Sequence, residues 1–501
     1  MPQTTLLDIR PIIGILGALL FFLGVALLVP MFVALLYAET AWSAFGVSAL
    51  IGFVVGGSAW WFFRPTEEFR VREGFVIVAL AWAVLSLLGA VPFVLSGVLS
   101  SYTDAFFETM SGLTTTGATI LGGQNNPAVE DIPRSFLFWR SLTHWLGGMG
   151  IIVLTLAILP ILGVGGMQLF RAEVPGPSAD KMTPRVKETA KRLWLIYFAF
   201  TVLEILLLLP AMDLFDAVNH AFATMATGGF STLNGSIGDF GSAYVEWVVI
   251  LFMIIAGVNF TLHYRLLHAQ FKPVLQDVEL RFYLIVMACA TLLITISIYE
   301  GAAFDTQTGQ GYAALGESIR TALFQAVSII TTTGFGTADY ELWPPLAIGV
   351  LFLLFFTGGM AGSTGGGVKA IRHVLLYKHT HAEIKRLVHP KAIIPIRLNG
   401  KVVPQDVMRN VLSFIVLYVA TVGAGSLLLS MLGMDLMTAI GGAISSVGNI
   451  GPAFGSLGPS DNYAHVPALG KWVLAFLMML GRLELFSILV LFYPRFWRSP
   501  Q

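Results

Sequence analysis

Four glycine-centred segments recur along this chain of 501 residues and resemble copies of one structural unit. They read TTTGA, ATGGF, TTTGF and SSVGN, at residues 114–118, 226–230, 331–335 and 445–449. Their fourth residues are Gly117, Gly229, Gly334 and Gly448. A spacing of about 110 residues is too long for a stacked solenoid repeat and indicates one larger module used four times.

The composition indicates an integral membrane protein. Hydrophobic residues make up 56% of the chain and charged residues only 12%, whereas a soluble domain carries about a quarter charged residues. Several apolar runs reach the roughly 20 residues that span a bilayer. The formal net charge is zero, so no overall field attracts nucleic acid, and one cysteine excludes an internal disulfide.

Ten transmembrane spans are predicted from the apolar runs. They lie at about residues 11–37, 41–63, 75–100, 134–162, 193–211, 243–264, 281–299, 345–375, 407–432 and 466–493. An even number of spans places both termini on one side of the membrane. If that side is the cytoplasm, most of the 29 lysines and arginines lie in cytoplasmic segments, as the positive-inside rule requires.

A short apolar stretch precedes each glycine and is too brief to cross a bilayer. Asp104, Asp216 and Asp435 stand at one distance before their glycines, with Thr321 in the third copy. Asp and Thr are good helix N-caps, so each stretch is predicted to be a half-helix that ends at the glycine. Re-entrant backbone is tolerated in a membrane only where it lines a cavity or is buried in protein. Close packing of small residues would explain one such segment but not four equivalent ones.

The predicted fold is therefore an all-α integral membrane protein of four span–half-helix–span modules around one pore. Residues 1–68 form two additional N-terminal transmembrane helices, and the modules occupy residues 69–170, 171–270, 271–400 and 401–501. In such a pore the turn carbonyls can replace the water shell of a cation. The predicted filter residues are Thr115, Thr116, Gly117, Ala118, Thr227, Gly228, Gly229, Phe230, Thr332, Thr333, Gly334, Phe335, Ser446, Val447, Gly448 and Asn449.

The chain resembles the TrkH/TrkG branch of the Trk/Ktr/HKT superfamily of potassium transporters over essentially its whole length. Besides the four segments, the resemblance rests on HWLGGMGIIVLTLAILPILGVGG (144–166), GGMAGSTGGGVK (358–369) and GRLE (481–484). It implies a potassium-selective uptake pore in a bacterial inner membrane, with K⁺ both transported and bound in the filter. It also implies one central glycine per module, and Gly117 favours potassium because related plant proteins with serine there conduct sodium.

The glycine-rich segment 358–367 is predicted to interrupt a transmembrane span, because each glycine costs a helix about 1 kcal/mol relative to alanine. The resemblance implies a mobile gate beneath the filter; the alternative is tight helix packing through small residues. The predicted gate residues are Gly358, Gly359, Gly362, Ser363, Thr364, Gly365, Gly366, Gly367 and Arg482. A phosphate-binding loop is excluded because Val368 separates Gly367 from the following lysine.

Arg482 is predicted to lie midway through the last span, where a cation is costly and usually functional. It either raises the barrier for potassium or pairs with the gate; the alternative is an ion pair with a buried carboxylate such as Glu204. Arg140 and His144 are expected to stabilise a contact between modules. Equivalent half-helix positions, expected to anchor the half-helices, hold Glu108, His220, Gln325 and Ala439.

No catalytic motif or organic cofactor site is predicted, so the chain is expected not to be an enzyme. The resemblance implies a homodimer and a TrkA-like cytoplasmic, nucleotide-binding regulatory subunit docked on the basic segments 171–192 and 369–406. Attraction to anionic lipid also explains these basic segments. Two other functions remain open. One is a proton- or sodium-coupled potassium symporter using Glu204, His144 or Glu484; the other is a membrane enzyme or sensor.

Overall fold

The computed structural model describes residues 8–63, 71–123, 126–153, 183–300 and 312–497. These residues are almost entirely helical, and their only sheet is a two-stranded hairpin. The all-α prediction is therefore confirmed.

Two closely packed helices open the described chain. The first is Ile9–Leu36, and the second consists of Trp42–Ile51, a π-helical turn at Gly52–Gly56, and Gly57–Phe62. Glycines make the contact close: a Cβ added at Gly56 would lie 2.5 Å from the Phe21 backbone nitrogen. Small residues commonly hold membrane helices together in this way.

The remaining elements follow in chain order. The α-helices are Val71–Leu95, Tyr102–Leu113, Arg134–Val153, Thr183–Leu208, Leu214–Met225, Ala243–Gly257, Phe260–Leu267, Phe271–Leu275, Val278–Ile298, Leu315–Ile330, Pro345–Leu354, Ala370–Val388, Gln405–Met431, Leu436–Gly448, Ala468–Arg482 and Phe486–Leu489. Short 3₁₀ turns lie at Val129–Asp131, Ser236–Phe240, Tyr340–Leu342, Gly455–Leu457, Val490–Phe492 and Pro494–Phe496.

Five described helices are long and apolar enough to cross a bilayer, or up to seven if each bent pair is one span. The predicted spans 243–264 and 466–493 are wrong as continuous helices. The first bends by 102° after Gly257, and the second bends by 110° after Arg482. The last part of the predicted span 134–162, from residue 154 on, lies outside the described part of the chain.

The predicted interruption of the span 345–375 is confirmed. Helix Pro345–Leu354 ends and helix Ala370–Val388 begins with no helical residue between them. The intervening residues 355–369 are called the glycine loop below.

Four short helices, called the half-helices below, precede the glycine segments. They are Tyr102–Leu113, Leu214–Met225, Leu315–Ile330 and Leu436–Gly448. The predicted caps were right only for Asp435, which accepts a hydrogen bond from the Thr438 backbone. Asp104 and Asp216 lie one turn inside helices capped by Ser101 and Asp213, and Thr321 lies well inside the third half-helix.

A β-hairpin on residues 397–402 was not predicted. Strands Arg397–Leu398 and Lys401–Val402 pair antiparallel across Asn399 and Gly400, whose φ angles are 46° and 83°. An Asn-Gly pair with two positive φ angles is typical of a type I′ hairpin turn. This dipeptide was the sequence signal that could have revealed the hairpin.

Candidate functional site

All four half-helices end in the same chain reversal. The reversing residue has a left-handed φ between 53° and 60° in each copy: Thr115, Thr227, Thr332 and Asn449. The next N–H donates to a carbonyl five residues back: Thr116 to Ser111, Gly228 to Ala223, Thr333 to Ser328 and Ile450 to Ser445, at 2.8–3.0 Å. This is the Schellman geometry, which usually places glycine or asparagine at the reversal. Threonine, being β-branched, is an outlier there, so tertiary contacts must enforce the turn.

Two residues after each reversal stands a glycine with positive φ. These residues are Gly117, Gly229, Gly334 and Gly451, with φ of 81°, 82°, 79° and 104°. The fourth equivalent glycine is thus Gly451, and the prediction of Gly448 was wrong. Gly448 is the last residue of its half-helix, so its backbone is not free to form the turn.

The fourth segment therefore lies three residues further along the chain than predicted. Ser446 and Val447, predicted as filter residues, belong to the half-helix. Asn449, predicted as the last filter residue of its segment, is instead equivalent to Thr115 and is followed by Ile450, Gly451 and Pro452. The segments 115–118, 227–230, 332–335 and 449–452 are called the glycine turns below. They include every predicted filter residue except Ser446, Val447 and Gly448.

The glycine turns form a closed ring. A Cβ added to Gly117 would lie 2.0 Å from the Gly228 carbonyl oxygen, and one on Gly229 would lie 2.1 Å from that of Thr333. The corresponding distances are 2.0 Å from Gly334 to Ile450 and 2.6 Å from Gly451 to Thr116. Each of these carbonyls immediately precedes the glycine of the next module, so the fourth contact returns to the first. No side chain fits at any of the four positions.

A cavity of about 300 Å³ opens on one side of this ring. All four ring glycines line it, and Gly448 does not. Its wall also carries the side chains of Asp461, Asn462 and Asn234. The ring therefore forms the floor of a polar vestibule.

Side chains nine residues before the glycines tie the half-helices to the chain beyond the turns. The Glu108 carboxylate accepts bonds from the Thr119 hydroxyl at 2.9 Å and the Ile120 N–H at 3.0 Å. His220 Nε2 bonds the Ser231 hydroxyl at 2.9 Å. These contacts fit the predicted anchoring role.

The third and fourth half-helices are also anchored, but through other contacts. Gln325 donates to the Ala338 carbonyl at 3.3 Å. In the fourth module the equivalent position is Gly442 rather than the predicted Ala439, because the register shifts by three residues. Ser445 takes over the anchoring there by donating to the Pro452 carbonyl at 2.9 Å.

Arg140 and His144 join the first module to the second. The Arg140 guanidinium donates to Glu108 at 2.8 Å and to the Ser231 carbonyl at 3.0 Å, and lies 4.1 Å above the Phe230 ring. His144 Nε2 accepts the Phe230 N–H at 3.2 Å, so Nδ1 carries the proton and donates to the Gly112 carbonyl at 2.8 Å. Both side chains brace the second glycine turn against the first.

We expect Glu108→Ala to lower the free energy of unfolding by about 3–5 kcal/mol, because it leaves the Arg140 charge buried without its partner. Both side chains of this pair are at most 2% exposed. Denaturant unfolding in detergent measures the change. The control is Glu188→Ala, which breaks an exposed pair with Arg192, because exposed ion pairs contribute little to stability. Equal losses in the two variants would contradict the anchoring role.

The glycine loop lies against the carboxyl ends of three half-helices. The Thr364 hydroxyl donates to the Met225 carbonyl at 3.0 Å, and the Gly366 N–H donates to the Thr332 hydroxyl at 2.6 Å. A Cβ on Gly366 would lie 2.4 Å from the Gly448 carbonyl oxygen. The predicted gate residues 358–367 are therefore gathered directly behind the ring.

Arg482 connects this loop to the first module. It is 2% exposed, and its guanidinium donates to the Thr364 carbonyl at 2.8 Å and to the Gly147 carbonyl at 3.2 Å. Within the described residues it forms no ion pair, so the alternative pairing with Glu204 is not found. It is the last residue of its helix, at the bend in the predicted span 466–493.

Three contacts missed by the sequence analysis close the ring between the fourth and first modules. Asn449 Nδ2 donates to the Thr116 hydroxyl at 3.0 Å, Tyr463 donates through its hydroxyl to the Gly451 carbonyl at 2.7 Å, and its N–H donates to the Thr119 carbonyl at 2.8 Å. The Gly-Pro dipeptide at 451–452 was the available signal, since this pair marks turns.

Comparisons with known proteins place the chain in a family. The family model described as "TrkH: Cation transport protein" matches residues 42–499. The Trk system potassium uptake protein TrkH of Escherichia coli K12 is 42% identical, over 98% of this chain and 99% of that protein. TrkG of the same strain is 36% identical over 98% and 99%.

A solved structure supports the same family assignment. The crystal structure of the potassium transporter TrkH from Vibrio parahaemolyticus matches with a TM-score of 0.88 and 38% identity, covering 98% of this chain and 100% of that one. The chain therefore belongs to the TrkH family of cation transport proteins.

Proposed function

We propose that this chain is the potassium-selective, ion-conducting subunit of a potassium uptake system in a bacterial inner membrane. As a TrkH family member it is a multi-pass membrane protein and a transport protein, not an enzyme. Relatives over nearly the full length are potassium uptake proteins. The observation that carries the proposal is the closed ring of four glycine turns, in which each ring glycine packs against the next module's backbone carbonyl.

The ring suits a cation that has lost its water. Backbone carbonyls of the glycine turns take over as ligands for K⁺, as rings of carbonyls do in potassium filters. The half-helices end beside the ring, and the carboxyl end of a helix carries a partial negative charge that favours a cation. The membrane potential supplies about 2.3 kcal/mol per charge per 100 mV, which drives uptake without covalent chemistry.

The glycine loop and Arg482 together serve as the gate. The loop covers the carboxyl ends of three half-helices, and Arg482 adds a buried positive charge at the same place. The guanidinium holds the loop through the Thr364 carbonyl, and the many glycines of the loop allow it to move once Arg482 releases it. Opening requires both the glycine loop and the Arg482 charge to move off the axis of the ring.

A coupled potassium symporter is the second candidate function. Glu204 favours it, because this carboxyl is fully buried and neither oxygen has a hydrogen-bond partner among the described residues. The other two predicted coupling residues are occupied: His144 bonds two backbone groups, and Glu484 pairs with Arg372. A proton or sodium ion coupled at Glu204 would shift the reversal potential away from that of potassium.

The assembly follows from the same proposal. We place both termini in the cytoplasm and assign the chain a homodimeric state and a TrkA-like nucleotide-binding partner. The exposed basic residues of 385–401, among them Lys385 and Lys391, suit a cytoplasmic docking surface. The other predicted docking segment begins in residues 171–182, which lie outside the described part of the chain.

Potassium flux into proteoliposomes holding this chain alone tests the function. With an imposed potential and competing sodium, we expect flux that reverses at the potassium equilibrium potential and rejects sodium. A reversal potential that follows the proton or sodium gradient would instead support the symporter. Absence of flux both in the wild type and in a variant with residues 358–367 shortened would overturn the proposal.

A further inference from the structure

One buried carboxylate holds both limbs of the glycine loop. Glu279, in the first turn of helix Val278–Ile298, is 7% exposed. Its Oε1 atom accepts the N–H of Ala361 at 2.7 Å and the N–H of Ile371 at 3.1 Å. Ala361 precedes the loop residues Thr364 and Gly366 that contact the half-helices, and Ile371 follows them. The two stretches of chain before and after these contacts are called the limbs. A single oxygen atom therefore ties together the two ends of the segment that contacts the half-helices.

These two bonds differ from the other contacts of the loop. Thr364 and Gly366 bond the half-helices and the ring itself, and Arg482 bonds the loop from the fourth module. Among the described residues, the side-chain hydrogen bonds of Glu279 go to Ala361 and Ile371 rather than to the ring or a half-helix. Both N–H groups converge on one oxygen atom of a buried side chain, and leaving buried N–H donors without an acceptor is costly, so this contact suits a restraint on loop position.

Neighbouring charged groups are engaged elsewhere. The Lys369 ammonium donates to the Gly365 carbonyl, and Arg372 pairs with Glu484. Within the described residues, no ion pair to Glu279 is found. The N–H groups of Ala361 and Ile371 are thus the hydrogen-bond partners of this carboxyl group among the described residues.

The β-hairpin sets the position of Glu279. At the hairpin turn, Asn399 accepts the N–H of Val278 at 3.1 Å and donates to Asp277 at 2.9 Å, so it holds the start of the helix that carries Glu279. On the other side, Leu398 is buried in one apolar cluster with Ile371. The hairpin therefore contacts both the carboxylate's helix and one of its two bonded limbs.

We propose that Glu279 is the latch that keeps the glycine loop in its blocking position, and that the hairpin of residues 397–402 positions this latch. The inference rests on the proposed potassium pore. Glu279 acts through the loop as a positioning residue and does not bind the ion. Movement of the hairpin would shift the start of the helix, break the two bonds and release both limbs together.

Potassium flux of latch variants in proteoliposomes tests the proposal. We expect Glu279→Ala to raise flux at least fivefold over the wild type while the ratio of potassium to sodium flux stays unchanged. Glu279→Gln retains an acceptor oxygen for the two N–H groups and should give a smaller rise. Asn399→Ala, which removes the hairpin contact, should also raise flux. A gain of flux is not an effect that general destabilisation produces.

The controls separate the latch from the pore. Glu383→Ala, on the exposed end of helix Ala370–Val388, should leave flux unchanged. The variant with residues 358–367 shortened reports whether the pore conducts at all. If it conducts while Glu279→Ala and Glu279→Gln remain at the wild-type level, the latch is wrong and the pore stands. If neither this variant nor the wild type conducts, the proposed function and the latch fall together.

Two milder variants make the test independent of how well Glu279→Ala folds. Should Glu279→Ala not be recovered as folded protein, Glu279→Gln and Asn399→Ala carry the test. Wild-type flux in both would overturn the latch. A second readout uses Cys289, the one cysteine of the chain: in a Cys289→Ser, Ala361→Cys protein, a thiol reagent should react several-fold faster when Glu279→Gln is added. An unchanged rate would contradict release of the limb.

Discussion

Replacing Gly451 with alanine is expected to reduce potassium uptake at least tenfold, whereas Gly448→Ala should leave it within about twofold. Gly451 has a φ of 104°, and a Cβ there would lie 2.6 Å from the Thr116 carbonyl oxygen. A side chain must therefore displace the carbonyl that closes the ring, and no flexible side chain can yield instead. Tenfold corresponds to about 1.4 kcal/mol, which lies within the roughly 1–3 kcal/mol that a non-glycine residue costs in a sparsely populated conformation.

Gly448 is the matched control because it is the same residue type three positions away. Its backbone is helical, and an added Cβ would meet the Ile450 side chain at 2.9 Å, which can shift. Uptake in cells lacking other potassium transporters measures both variants, with sodium added to detect lost selectivity. Loss of uptake in Gly448→Ala with normal uptake in Gly451→Ala would restore the register expected from the sequence and contradict the ring.

Replacing Arg482 with alanine is expected to raise potassium flux through the chain alone about tenfold. The side chain holds the glycine loop through the Thr364 carbonyl and holds the first module through the Gly147 carbonyl. Its removal frees the loop and also takes a buried positive charge from the proposed path of the cation. Single-channel recording or proteoliposome flux measures the effect, with selectivity expected to be retained because the ring is untouched.

Arg482→Lys separates the two contributions of this residue. Lysine keeps the charge but lacks the planar fork that bonds two carbonyls at once. We expect a rise of about threefold, between wild type and Arg482→Ala. Flux equal to wild type in Arg482→Ala would show that neither the bonds nor the charge limits conduction.

The sequence determined the features that depend on local chemistry. Long apolar runs with few charges require membrane-spanning helices, and the many glycines of 358–367 prevent a helix. Three of the four ring glycines, Gly117, Gly229 and Gly334, were predicted from hydroxyl-rich segments with the same local pattern. Resemblance to known transporters carried the gate and potassium assignments, which local chemistry alone does not supply.

Only the tertiary structure decided the features that depend on distant partners. The fourth segment offered two glycines, and the choice of Gly451 depends on the Thr116 carbonyl, far away along the chain. The partners of Arg482 are the carbonyls of Thr364 and Gly147, which no side-chain pattern announces because every residue has a carbonyl. Hydropathy and spacing report what one segment prefers, whereas a ring of four segments is selected by the fit of each to its neighbours.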